Sequence, residues 1–216
     1  MKRRIFLLIA IILTLTLALT ACTQGTINET KAKELALENI NKVFQTNQTE
    51  ATVTREQMGC LPDQVGAMAT TGNAEDTSRW LYIVEVPSRD VPNYQAYVVE
   101  STGEVIYLSQ NESNITLTDE QQKQATELLA AESDFGNEHY DAIMLLKNAC
   151  REWAIANLGD SHPILLDASL GRLPDGPARE IFTTDFYVVT NDARVYGITM
   201  IWPSMQVLNL DVKSAK

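Results

Sequence analysis

The chain has 216 residues, of which 45% are hydrophobic, and 28 acidic side chains against 17 basic ones give it a net charge of −11. There is enough apolar material for a packed core. The acidic balance excludes nucleic acid as a partner, because phosphate recognition needs clustered Lys and Arg, and the excess charge reads as a solubility feature, not a cation sponge.

The first element is a leader. Lys2, Arg3 and Arg4 precede an apolar run from Ile5 to Leu19, and small residues then lead to Leu19-Thr20-Ala21-Cys22. This is the layout of an export signal with its cleavage site. A membrane-spanning helix is the first rival, but the run is short of the ~20 apolar residues a span needs, and no basic stop-transfer cluster follows. A soluble-secretion signal is the second rival, since a small residue before the cut suits it equally. The Leu19-Thr20-Ala21-Cys22 ending resembles the lipobox of bacterial lipoproteins. That resemblance implies removal of residues 1–21 as a signal peptide and acylation of Cys22, with palmitate-type chains on the new N-terminus. It also implies an extracytoplasmic protein anchored to the bacterial cell membrane by residues 22–27 as a lipidated tether. Two acyl chains anchor stably where one does not. The signal holds 3 of the 17 basic residues and no acidic ones, so 14 face 28 in the remainder, a net charge of −14. An anionic membrane surface repels such a chain, and the lipid has to hold it there.

Beyond the tether, Asn28 is a suitable N-cap with Ile27 as the staple before it. Ala32, Leu35, Ala36, Ile40, Val43 and Phe44 fall on one helical stripe that fades at Thr46-Asn47-Gln48. Strands are expected at Ala51 to Met58, Trp80 to Val86, Tyr94 to Glu100 and Val105 to Ser109, with Gly103 free to turn the last pair. Residues 59–78 make a long connection of the kind that is uncommon unless functional. A connector helix is expected from Leu117 to Ser133, capped by Thr118 and Gln121. A third helix, from about Asn137 to Leu158, buries Ala142, Ile143, Leu146, Ala149, Cys150 and Trp153 and stops at Gly159. Strands return at Ile164 to Asp167, Glu180 to Thr190, Arg194 to Trp202 and Met205 to Asp211.

Each half thus reads as one helix followed by strands. The C-terminal hairpins align at a constant offset of 102: Tyr94 on Tyr196, Val99 on Ile201, Val105 on Val207, Leu108 on Leu210. The expected fold is α+β: two tandem modules, residues 28–110 and 137–216, joined by a helical connector at 111–136. Each module lays a helix over the apolar face of an antiparallel sheet. The stretch Asn28 to Leu37, the strand Trp80 to Val86 and the hairpin Tyr97 to Ile106, with its Thr102-Gly103-Glu104 turn, resemble the PepSY pattern. The chain departs from it at Glu100, where the family usually has Asp, and in residues 59–78. The second half follows only the order of elements, with Trp202-Pro203-Ser204-Met205 in place of the turn. The resemblance implies a PepSY/cystatin-like helix-on-sheet fold, extracytoplasmic placement and restraint of a peptidase or another envelope partner. It carries over no catalytic residue.

No enzyme signature stands out. Elbow, Ser-x-x-Lys, zincin and phosphate-loop motifs are missing. His139 and His162 stand apart from other ligands, so neither a metal nor a cofactor is expected. Asp134, Glu138 and Asp141 suit a helix N-terminus. Cys60 and Cys150 are left to pair as a disulfide joining the halves. The alternative is two buried thiols, which the apolar face around Cys150 favours. Tyr97 and Tyr107 alternate with core positions and, with Met68 in the long connection, form the expected binding surface. The expected function is a non-enzymatic protein- or peptide-binding, regulatory module. Its alternative is a small-ligand carrier with a cavity between helix and sheet lined by Trp153, Met200 and Trp202.

Overall fold

A computed structural model describes residues 26–58, 79–88, 91–130, 137–170 and 182–214. Helix α1 (Glu29–Phe44) starts where expected: the Asn28 side chain accepts the Lys31 backbone N–H at 2.9 Å, satisfying one of the free donors of the first turn. It ends on Gln45 in the left-handed region, whose N–H closes on the Asn41 carbonyl. The strands β1 (Thr52–Met58), β2 (Arg79–Val86), β3 (Tyr94–Val99) and β4 (Val105–Gln110) follow, then a single 3-10 turn (Glu112–Asn114). Helix α2 (Asp119–Ala130) opens with the expected capping box, in which the Thr118 hydroxyl and the Gln121 amide answer each other's backbone N–H. Helix α3 (Asn137–Asn157) is followed by Gly159 at φ +74, and β5 (Ile164–Leu170), β6 (Phe182–Val189), β7 (Val195–Trp202) and β8 (Gln206–Ser214) complete the chain.

Among the described residues eight strands form a single antiparallel sheet in the order β1-β2-β3-β4-β8-β7-β6-β5. The two helix-and-strand stretches are therefore halves of one sheet, fused along the β4–β8 seam. One row of side chains crosses it: Val53, Val84, Ala96 and Leu108, then Leu210, Ile198 and Phe186. Helix α1 lies over β1 to β4 and α3 over β5 to β7. Their stripes, Ala32, Ala36, Ile40 and Val43 in α1 and Ala142, Leu146, Cys150 and Ala154 in α3, join a single buried cluster with that row. The Lys42 ammonium, at the end of α1, donates to the Asn157 carbonyl at the end of α3, which ties the two helices together.

The register repeats with the sequence offset. Val84 faces Ala96 and Val86 faces Tyr94; 102 residues on, Phe186 faces Ile198 and Val188 faces Tyr196. Even the irregularities correspond, since the register slips between Tyr97 and Val98 in one hairpin and between Thr199 and Met200 in the other. At the seam Leu108 pairs with its own counterpart Leu210, and Tyr107 and Ser109 pair with Asp211 and Asn209. The pairing of β4 with β8 is thus symmetric about Leu108 and Leu210, as in an isologous contact.

The turns correspond as well. Gly103 at φ +73 donates its N–H to the Val99 carbonyl, and Met205 at φ +57 donates to that of Ile201. Gly103 also lets the hairpin approach α1, since a Cβ there would lie 3.1 Å from Leu35 Cδ1. Glu100, just before this turn, is a hub. Its carboxylate accepts from Arg55 of β1 at 3.1 and 2.9 Å and from the Tyr82 hydroxyl of β2 at 3.3 Å, and its carbonyl accepts from the Ile27 N–H at 2.9 Å. The Arg55 guanidinium also lies 3.8 Å from the Trp80 ring centroid.

Candidate functional site: the helix-free face of the sheet

Strand alternation sends every second side chain of the row's neighbours to the face that carries neither α1 nor α3. Ala96 and Val98 are buried against the helices, so Tyr97 between them points the other way; Tyr107 follows by cross-strand pairing. Their rings stack at a centroid separation of 4.8 Å and a tilt of 31°, and both are partly buried. Burial first, then the neighbouring Tyr107, Glu85 and Glu56, pushes the Tyr97 phenol above its ordinary range. Its hydroxyl contacts the Gln95 side chain at 3.3 Å, and Gln95 in turn donates to Glu85 at 2.7 Å.

Across the seam Tyr107 meets Asp211 in register. Asp211 pairs with Lys213, and the two lie over Gly197, where a Cβ would come within 2.9 Å of Lys213 Cε and 3.1 Å of Asp211 Oδ1. Burial raises the Asp211 carboxyl against the opposing pull of Lys213, and its Oδ1 has no hydrogen-bond partner among the described residues. Beyond Gly197, Thr199 donates to Asp185 at 2.6 Å. The midline of the helix-free face therefore sets two stacked phenols beside a half-desolvated ion pair. Stacking and hydrogen bonding to a polypeptide are within its chemistry. On this same face Leu81 and Val99, and 102 residues on Thr183 and Ile201, are also buried, outside the main cluster.

The structure brings Tyr97 and Tyr107 together on the helix-free face. Cys22, Cys60 and Met68 lie outside the described residues, as do the long connection at 59–78 and the cleavage region. Among the described residues Cys150 has no disulfide partner; it is buried on the sheet side of α3, and burial pushes its thiol up to about 12. Trp153 and Trp202 pack against the core cluster that holds Met200. His162 sits in an exposed loop ordered by Asp160, whose two oxygens accept the N–H groups of His162 and Asn191 at 2.8 and 2.7 Å. Among the described residues no group of His, Cys, Asp and Glu is placed to hold a metal ion, and no helix is long and apolar enough to cross a membrane. Asp211, Lys213 and Gly197 were not singled out in the sequence. The available signals were a charged residue at the end of a strand otherwise read as apolar, and a glycine inside one.

No protein-family model and no curated protein matches the chain. Among solved structures it is similar to the Bacillus megaterium YpeB C-terminal domain, at 9% identity and a TM-score of 0.44. The similarity covers 87% of this chain and spans 64% of that one.

Proposed function

We propose that the chain is an extracytoplasmic lipoprotein, held to the bacterial membrane through acylated Cys22, that acts without catalysis by binding a partner protein or peptide of the cell envelope. A peptidase under restraint is the partner class that the PepSY-like hairpin suggests. The fold is in this reading a PepSY-like unit, a helix with four strands, duplicated and fused edge to edge. The repeated register and the paired Leu108 and Leu210 support the duplication, and the lipobox supports the anchor. The observation that carries the binding role is the stacked Tyr97–Tyr107 pair on the helix-free face. Aromatic anchors of this kind concentrate binding energy.

The test places a photo-crosslinking side chain at position 107 of the full-length protein in its own membranes. One defined envelope protein should be captured, and Tyr97→Ala should weaken its retention at least ~10-fold while the protein still melts in a cooperative transition. Capture no greater than from the exposed position 38 on the outer side of α1 would reject the binding face. Cys22→Ala should release the protein from the membrane fraction and abolish incorporation of a labelled fatty acid.

A further inference from the structure

Among the described residues the sheet ends in two edges, β1 and β5, and they are not alike. The outer residues of β1 include Thr52, Thr54, Arg55, Glu56 and Gln57, all exposed, and Arg55 is engaged with Glu100. Charged and polar side chains are how natural edges resist pairing. Strand β5 opens with Ile164-Leu165-Leu166. Ile164 is 62% and Leu166 47% exposed, and Tyr187, in register with Leu166, is exposed beside them on the helix-free face. Leu165 turns to the other side and packs against the core cluster. No charge occurs from Pro163 to Leu166, although the chain as a whole repels its own copies at −11. No described strand pairs with the outer side of β5.

We propose that β5 is a self-pairing edge: two copies of this chain join β5 to β5, antiparallel, around a two-fold axis at Leu165. In that register Ile164 of one copy stands opposite Leu166 of the other, twice, and the two Tyr187 side chains flank the joined patch on the helix-free face. Asp167 falls opposite Pro163, so no carboxylate faces its own copy. The seam within the chain already shows this mode of joining, since β4 and β8 are counterparts that pair antiparallel around Leu108 and Leu210. Pairing β5 to β1 instead would be head-to-tail and would not close, and the charged β1 opposes it. A short strand interface is small, so the dimer dissociates on dilution, with a Kd on the order of micromolar.

The experiment is sedimentation of the full-length protein in detergent micelles over a dilution series. A monomer–dimer equilibrium is expected. Leu166→Lys should raise the dissociation constant at least ~10-fold, because it buries an unpaired charge at the joint, while Thr54→Lys on β1 should leave it unchanged. With Cys60 replaced by Ser, the pair Ile164→Cys and Leu166→Cys should form interchain disulfides on mild oxidation, a readout that survives if the lysine variant misfolds. A monomer at every concentration, a dimer broken by Thr54→Lys and not by Leu166→Lys, or failure of the cysteine pair to link the chains would each overturn the proposal.

Discussion

The two halves of the molecule share a backbone and differ in what hangs from it. At positions 102 apart they have the same cross-strand pairs, the same slip in the hairpin and the same left-handed residue in the turn. Where the first half carries Tyr97 and Tyr107, the second carries Thr199 and Asn209; where the first turns on Gly103, the second turns on Met205; and Glu100 corresponds to Trp202. Strand alternation and chain reversal need only apolar side chains at every second position and a residue that tolerates positive φ. The remaining positions are free to differ, and they do: one half holds the stacked phenols and the Glu100 clamp, the other the Asp211–Lys213 pair and the apolar edge.

The largest effect tests whether the halves are one cooperative unit. Ile40→Ala in α1 and Leu146→Ala in α3 each empty a fully buried position of the same cluster, at a cost of about 2–5 kcal/mol. Calorimetry should show both lowering a single shared transition; two transitions, each moved by one substitution, would separate the halves. Next come the turns. Gly103→Ala forces a Cβ into the left-handed region and toward Leu35, costing about 1–2 kcal/mol. Met205→Gly removes the same strain but also a side chain packed against the core, so denaturant melts should place it within about 1 kcal/mol of wild type.

Two carboxyls sharpen the contrast through their opposite signs. Hydrogen bonds from Arg55 hold Glu100 below its ordinary value of 4.5. Its contribution is therefore fully present above that value and fades as pH falls through the lower folded-state value. Glu100→Gln should flatten the melting temperature against pH from 4.5 downward. Burial holds Asp211 above its ordinary value of 3.8. Ionising it costs the folded state stability as pH rises from 3.8 through the raised value, and Asp211→Asn should flatten the curve on that side instead. The mildest test is chemical. With its thiol buried and raised to about 12, Cys150 should resist iodoacetamide at pH 8 in the native protein and react once denaturant unfolds it.

Much of this was legible along the chain. Asn28, Thr118 with Gln121, and Gly159 mark helix ends through local hydrogen bonds and backbone freedom, which depend on residues within one turn. Apolar spacing identified both buried stripes and the outward turn of Tyr97 and Tyr107, because side-chain direction follows from backbone period alone. The offset of 102 was also visible, carried by the hairpins. The strands Ile164–Leu170 and Gln206–Ser214 run beyond their expected ends at Asp167 and Asp211. Pairing with a neighbouring strand extends them, and that neighbour lies far away in sequence.

The sequence by itself determined the elements and their buried faces, since each follows from local period and capping. Only the tertiary structure decided that the halves fuse through β4 and β8 into one sheet over one core, that Glu100 gathers Arg55, Tyr82 and the segment before α1, and that Asp211 lies beside Tyr107. These depend on which strand edge meets which, and such long-range pairing is chosen by the free energy of the whole packed sheet.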